Sequence, residues 1–400
     1  MSRMYQPSSS YYLLSTQYFL LLVVLWTSCQ PVARSASQYD PGLSDSTITI
    51  GSWGPLSGPA ASWGTMTHAM DAYFQLINEE GGIHGRKIRF VYKDDGYNPA
   101  RTVPLVRDLV EGEEVFALVG GLGTNTGMAV LPYIEAQQVP WVSPASGAAI
   151  WSTPPKEKIF ATFGQYTDEA YRLVDYVVDS LSPGKLAIVY QNDDFGKGAM
   201  DAAQEQLAKR GESPATTISY ELGEREMSGQ AVKLMASEAE VVLLWMAPQQ
   251  AVSLLAKARS LSYQPQWVAS TVLSDMSRMH ELTQGAWEGV IFGFYGPMPN
   301  DTTHPRLQAY REAFARFHPS LSWGAFAETG FIYAEPLVAG LQAAGPALSR
   351  ERFVKAMEEL DFQGIGPHIR FGPGQRQGHR SLYLLRCTGA ESYVKLTDWL

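Results

Sequence analysis

The chain has 400 residues, of which 45% are apolar and 18% charged, and its formal net charge is -9. This composition is typical of a folded protein, and the length favours two lobes over a single core. An acidic chain without a basic stripe argues against nucleic-acid binding, because such binding depends on Lys and Arg side chains that neutralise phosphates.

Residues 1–36 are typical of an export signal. Arg3 precedes an apolar run at 18–26, which is too short to cross a bilayer of about 30 Å and is followed by small residues. Two processing routes fit: cleavage by signal peptidase within 33–37, or lipidation of Cys29 ahead of a Ser-rich tether. We expect an exported protein of the periplasm or cell envelope, either free or anchored through Cys29.

The first half of the body alternates strand and helix patterns. Asn98-Pro99 supplies a cap and a preorganised first residue for one helix, and Gly81-Gly82 ends the helix before it. Buried strands are predicted at 48–51, 88–93, 115–119 and 139–142.

The same rhythm restarts after Thr167. Strands that alternate with helices imply right-handed βαβ units and parallel sheets, so we predict an α/β fold of two Rossmann-like lobes. A crossing strand is predicted at 291–297. The helices that follow have no strands between them, so we expect them to return to the first lobe. The strands predicted here are 186–190, 216–220, 241–245 and 266–269, and the late helices are 304–317, 323–343 and 349–359.

The sequence contains no recognisable catalytic or metal motif. The acidic pairs Asp94-Asp95 and Asp193-Asp194 each follow a strand, but adjacent loop residues point apart, which favours turn and capping roles over acid–base chemistry. The histidines are scattered without ligand spacing, so no metal site is expected. They are His68, His84, His280, His304, His318, His368 and His379.

A glycine-rich loop at 121–127 follows a strand and opens a helix, as a dinucleotide fingerprint would. Its spacing has one residue too many, and the next strand is not followed by an acidic residue for a ribose, so no cofactor is expected. The same loop could cradle an anion through backbone N–H groups and the hydroxyls of Thr124 and Thr126. A tight turn capped by a threonine fits it equally well.

Four segments together resemble a known family. The stretches 54–64, 78–88, 94–99 and 191–196 resemble the leucine/isoleucine/valine-binding branch of the type I periplasmic binding proteins, the solute receptors of ABC importers. The resemblance runs collinearly over residues 47–386. It implies two α/β lobes joined by three crossing strands, which close around a solute and dock on a membrane permease. The implied lobes are 46–164 with 295–378, and 165–294 with 379–400.

The resemblance also implies how a ligand carboxylate would be held. Gly123 and Thr124 match a loop that binds it through N–H and hydroxyl groups. Ala145, Ser146 and Gly147 match a second such turn. The family's usual threonine is Gly147 here, so Ser146 is expected to supply the hydroxyl.

The remaining positions implied by the resemblance lie around the ligand body. Trp63 matches an aromatic cover and Phe195 an aromatic wall, although a lid over core and a hydrophobic staple fit these two residues as well. Where the family has acidic residues that bind an ammonium group, this sequence has Thr271 and Tyr166. Where the family has an aromatic residue, this sequence has Ala247. The sequence thus keeps the carboxylate side of the site and departs from the family on the amine side.

These departures bear on the ligand. A buried cation without a carboxylate costs several kcal/mol, and neither Asp168 nor Asp275 stands at a matching place. We therefore expect an organic acid or another weakly charged, aromatic solute ahead of a branched-chain amino acid. Two other functions stay open on the sequence alone: a receptor that senses the solute without transport, and an NAD-type enzyme.

Overall fold

A computed structural model describes residues 39–400 together with Met1 and Met4. Residues 40–400 form one compact unit. The predicted signal segment and Cys29 lie outside the described residues. Among the residues that are described, no helix is both long enough and apolar enough to traverse a bilayer.

The first sheet contains five parallel strands in the order β2-β1-β3-β4-β5. All four predicted strands of this half are confirmed, while β5, with two residues, is too short to show a sequence pattern. The strands are β1 (Thr47–Gly54), β2 (Lys87–Asp94), β3 (Ala117–Val119), β4 (Trp141–Val142) and β5 (Ile159–Phe160).

The helices of this half begin and end where their caps predict. Asn98 Oδ1 accepts a hydrogen bond from Ala100 N–H at 2.9 Å, and Gly81 and Gly82 both have positive φ angles, which lets the chain leave the preceding helix. The three helices are α1 (Thr65–Glu79), α2 (Pro99–Arg107) and α3 (Thr124–Ala136).

The second half builds the parallel part of a second sheet. The strands predicted here are again confirmed. The first four residues of the crossing strand predicted at 291–297 form β10. These strands are β6 (Leu186–Gln191), β7 (Thr216–Tyr220), β8 (Val241–Trp245), β9 (Gln266–Ala269) and β10 (Ile291–Phe294). The helix α4 (Tyr166–Tyr176) precedes β6, and the helices between the strands are α5 (Asp194–Lys209), α6 (Ser228–Ser237), α7 (Pro248–Ser260) and α8 (Met276–Leu282).

The three late helices return to the first sheet, as predicted. They are α9 (Pro305–Phe317), α10 (Ala325–Ala343) and α11 (Arg350–Glu358). α10 packs against α1 so closely that a Cβ atom on Gly330 would lie 2.2 Å from the carbonyl oxygen of Met66. A small two-stranded sheet follows, formed by β11 (Asp361–Gln363) and β12 (His368–Arg370).

The chain then crosses back and extends the second sheet. β13 (Tyr383–Gly389) pairs antiparallel with β10, and β14 (Ser392–Lys395) pairs antiparallel with β13. The order is β14-β13-β10-β9-β8-β6-β7, so the prediction of parallel sheets is wrong for this edge. The chain passes between the sheets after β5, after β10 and after β12. The first and last passages run together, with Ala161 N–H donating to Arg376 O at 2.8 Å.

Candidate ligand-binding cleft

A narrow cleft with about 30 Å³ of water-accessible space lies between the two lobes. Loops at the carboxyl ends of strands from both sheets line it, which is where ligand sites of open α/β sheets lie. Six of the ten predicted positions line the cleft: Trp63, Gly123, Ala145, Tyr166, Phe195 and Thr271. Four do not: Thr124, Ser146 and Gly147, which lie directly next to lining residues, and Ala247.

The glycine loop before α3 forms part of the first-lobe wall. Gly123 has φ +115°, and a Cβ atom there would lie 2.6 Å from the Tyr97 ring, so only glycine fits. Its N–H donates to Ala145 O at 3.3 Å, so this amide is already bonded within the protein. α3 begins at Thr124 without a side-chain cap, which leaves the N–H groups of its first turn without intrahelical acceptors.

Hydroxyl groups lie beside that helix start. Thr124 Oγ1 and Ser146 Oγ are 2.7 Å apart, and both residues are buried. The Tyr166 hydroxyl contributes a third, since it also bonds to Ser146, and burial raises the pKa of Tyr166 above its usual value. The expectation that Ser146 brings a hydroxyl to this turn agrees with its position.

The glycine at 147 and the tyrosine at 166 depend on each other. A Cβ atom on Gly147 would lie 2.5 Å from Gly164 O and 2.7 Å from the Tyr166 ring. The Tyr166 ring therefore occupies the space that a threonine at 147 would need. Two departures from the family pattern, which looked independent in the sequence, are one packing change.

Aromatic rings form most of the remaining wall. The Trp63 and Tyr97 rings lie 5.6 Å apart between centroids, and Tyr166 lies 5.1 Å from Phe195 and 5.5 Å from Phe163. The two Tyr166 pairs have the favourable edge-to-face geometry, and the Trp63–Tyr97 pair is tilted. The wall suits a flat or apolar ligand body.

Nine lining residues were not predicted. Tyr97 lies inside one of the segments that carried the resemblance, at a strand end, and that position could have flagged it. Leu122 lies in the glycine-rich loop at 121–127, and Val272 and Ser274 follow Thr271 after β9. The other five come from crossing segments or helices whose sequence shows no binding pattern. The nine are Met66, Tyr97, Leu122, Phe163, Val272, Ser274, Tyr295, Phe326 and Thr329.

Ala247 lies outside this lining. It is fully buried, and its N–H donates to the hydroxyl of Tyr220 at 2.7 Å. The lining therefore gives no support to the predicted placement of Ala247 at the ligand, and its amide is bonded to the neighbouring strand.

Among the described residues that line the cleft, no side chain is charged. The buried carboxyl of Glu169 lies behind the wall, where its Oε1 accepts from Thr271 N–H at 2.5 Å and its Oε2 from Ser270 Oγ at 3.1 Å. Burial raises its pKa, and these hydrogen bonds only partly oppose that shift. Asp168 instead pairs with Arg380 at 2.7 Å.

The two lobes also bond directly across the mouth of the cleft. Trp63 Nε1 donates to Val272 O at 2.8 Å, and Asn125 Nδ2 donates to Asp193 Oδ2 at 3.0 Å. Asp193 also caps α5 by accepting from Gly196 N–H at 3.2 Å. The capping role predicted for this acidic pair is confirmed, and the rings and the bonds together describe a closed cleft.

The acidic pair of the first lobe has a turn role, as predicted. Asp94 accepts from Leu56 N–H at 3.0 Å and from Ser57 Oγ at 2.6 Å, and Asp95 accepts from Tyr97 N–H at 2.8 Å. These bonds hold the loop that leads to Trp63. In the described part of the chain, no group of three His, Cys, Asp or Glu residues could hold a metal ion.

Comparison with known proteins gives a consistent result. The periplasmic binding protein family profile matches residues 47–391. A Leu/Ile/Val-binding protein homolog of Brucella melitensis is 29% identical over 49% of this chain and 53% of its own length, so the chain spans about half of that relative. The Leu/Ile/Val-binding protein of Escherichia coli is 23% identical over 77% of this chain and 83% of its own length.

Solved structures agree in fold. A branched-chain amino acid ABC transporter protein of Thermus thermophilus with bound valine superposes with a TM-score of 0.81 at 18% identity, covering 90% of this chain and 97% of its own. A solute-binding protein of R. palustris in complex with benzoate gives 0.77 at 17%, covering 88% and 95%. The predicted two-lobed α/β fold is confirmed, and the matches are to binding proteins rather than to NAD-type enzymes.

Proposed function

Because the chain belongs to the periplasmic binding protein family, we propose that it is the extracytoplasmic solute-binding protein of an ABC importer. Its two lobes close around a small carboxylate-bearing solute, and the closed form docks on a permease in the membrane. Ligand contacts on both walls favour closure, since a ligand shifts such an equilibrium through its differential affinity for the two states. Export through residues 1–36, by cleavage or by lipidation at Cys29, belongs to the same proposal.

One observation carries the ligand class: an aromatic cleft whose lining holds no charged side chain. An amino acid would bury its ammonium group there without a carboxylate partner, which costs several kcal/mol. An anion fares better, because the first turn of α3 and the hydroxyls of Thr124 and Ser146 offer hydrogen-bond donors.

Carboxylic acids with an aromatic or apolar body therefore suit this cleft better than branched-chain amino acids do. The structural relatives bind both kinds of solute: the R. palustris protein holds benzoate and the Thermus thermophilus protein holds valine. The absence of charge from the lining supports the first kind for this chain. In this proposal Trp63, Tyr166, Phe195 and Thr271 surround the ligand body.

A ligand panel tests the proposal. The purified protein is screened by thermal shift and titrated by calorimetry with benzoate, phenylacetate and octanoate, with leucine and valine, and with neutral benzamide as the matched control for charge. We expect acids without an amine to raise the melting temperature and benzamide to leave it unchanged. Tight binding of leucine or valine without binding of the acids would reject the ligand class. Binding of none of them, with no change in lobe arrangement, would reject solute capture.

A further inference from the structure

A carboxylate from one lobe caps a helix of the other. α10 begins after Gly324 with no side-chain cap from its own lobe. Oδ2 of Asp275 accepts a hydrogen bond from Phe326 N–H, in the first turn of α10, at 3.0 Å. Asp275 follows β9 and begins α8 in the second lobe, whereas α10 packs on α1 in the first. The bond therefore spans the gap between the lobes.

The same carboxylate also caps its own helix. Oδ1 of Asp275 accepts from Arg278 N–H at 3.1 Å. Two helix N-termini, one from each lobe, thus meet a single buried carboxylate, and the positive end of each helix dipole favours its ionised form. Burial raises the pKa of Asp275, and the hydrogen bonds from Phe326 N–H and Arg278 N–H oppose that shift.

Glycine at 324 makes the contact possible. A Cβ atom there would lie 2.4 Å from Oδ2 and 2.7 Å from Oδ1 of Asp275, so any side chain would push the carboxylate away from α10. Gly324 has extended backbone angles, which any residue can adopt, so the requirement is for space. This interlobe bond thus depends on one residue from each lobe, Asp275 and Gly324.

The contact adjoins the cleft. Ser274, which precedes Asp275, and Phe326, whose N–H donates the bond, both line the cleft. When the lobes part, α10 loses its only side-chain cap, and the first-turn N–H groups face water. We propose that Asp275 latches the closed form by capping α10 only when the lobes are together, and so sets how long a bound solute is held. This inference rests on the opening and closing of the proposed function.

Substitutions from both lobes test the latch. Asp275→Ala removes the cap, Gly324→Ala displaces it, and Asp275→Asn keeps one acceptor oxygen. The matched control is Ser349→Ala, because Ser349 Oγ caps α11 within one lobe by accepting from Arg352 N–H at 3.2 Å. The rate of benzoate dissociation is followed by stopped-flow tryptophan fluorescence, and the radius of gyration is measured by small-angle scattering with and without benzoate.

We expect Asp275→Ala and Gly324→Ala to speed benzoate dissociation about five- to tenfold and to enlarge the protein in solution, with Asp275→Asn between them and wild type. The double variant should match either single one, since both break the same bond. Ser349→Ala should lower the melting temperature alone. Unchanged dissociation and radius of gyration in Asp275→Ala, with a lowered melting temperature, would make Asp275 an ordinary structural cap.

These experiments distinguish failure of the latch from failure of the proposed function. If no solute of the panel binds the wild type, the proposed function fails. The latch is then decided by the radius of gyration of the unliganded variants, where an increase over wild type and over Ser349→Ala supports it and equality overturns it.

Discussion

The two walls of the cleft are built from different parts of the chain. The first-lobe wall at Gly123–Thr124 and Ala145–Ser146 consists of main-chain groups and short hydroxyls, with backbone geometry set by a glycine at φ +115°. The second-lobe wall consists of the side chains of Tyr166, Phe195, Thr271, Val272 and Ser274, and the Glu169 carboxyl behind it accepts a hydrogen bond from Thr271 N–H. In the proposed function, the main-chain groups of the first wall hold the ligand carboxylate and the side chains of the second wall contact the ligand body.

Of the variants proposed here, Thr271→Glu should change ligand binding most. It places a carboxylate in the second wall, where repulsion of a ligand carboxylate is on the order of 2–4 kcal/mol for charges about 4–8 Å apart at an effective dielectric constant near 20. We expect benzoate affinity to fall at least tenfold, and binding of leucine to appear, in calorimetric titrations.

Thr271→Gln is the matched control, because it has nearly the size of Thr271→Glu without the charge. It should weaken benzoate far less and should not admit leucine. Equal losses in the two variants would show that size rather than charge excludes the ligand.

Gly123→Ala tests the main-chain wall. The substitution forces a non-glycine residue to φ +115° and brings a Cβ atom within 2.6 Å of the Tyr97 ring. We expect a loss of about 1–3 kcal/mol in the free energy of unfolding and a similar loss in benzoate binding, measured by urea denaturation and calorimetry.

Gly81→Ala separates the two effects, because Gly81 has φ +110° in open space at the end of α1. It should destabilise the fold without changing affinity. An affinity loss in Gly81→Ala as large as that in Gly123→Ala would contradict a role for the first wall.

Glu169→Gln should have the smallest effect, which is a change in how the free energy of unfolding depends on pH. Burial raises the pKa of Glu169 above its usual 4.5, so the folded protein holds this proton more tightly than the unfolded chain. Stability relative to the Gln variant is therefore highest below pH 4.5 and falls as the pH rises towards the raised pKa, by at most about 1.4 kcal/mol per pH unit.

Urea denaturation from pH 4 to 8 measures this difference. The exposed Glu359→Gln variant should follow the wild type at every pH. A constant difference between wild type and Glu169→Gln across this range would mean that Glu169 titrates alike in both states.

Most of the fold follows from local patterns. Strand and helix periods, the Asn98 cap and the glycine pair after α1 are encoded by neighbouring residues, and all of them are confirmed. The antiparallel strands β13 and β14 were missed because their pairing is decided by a distant strand, β10. A short strand such as β5 carries too few residues to show a period.

The cleft was only partly predictable, for a topological reason. Trp63 and Gly123 stand in loops at strand ends, and motif matching located them. Tyr295 and Phe326 reach the cleft from a crossing segment and a late helix, which only the tertiary fold brings there. Ala247 lies outside the lining, and no local pattern shows the bond between its amide and the Tyr220 hydroxyl.

The late return of α10 has a consequence for how the protein reaches its native state. Gly330 packs onto the Met66 carbonyl, yet the five parallel strands of the second sheet, β6 to β10, are synthesised between these two residues. Apolar surface of the first sheet therefore stays exposed until the last third of the chain has been synthesised. Contacts between such distant residues make folding slow, because a long loop must close before they form. For an exported chain, such slow folding keeps the polypeptide unfolded, and thus competent for export, until its final helices have been synthesised.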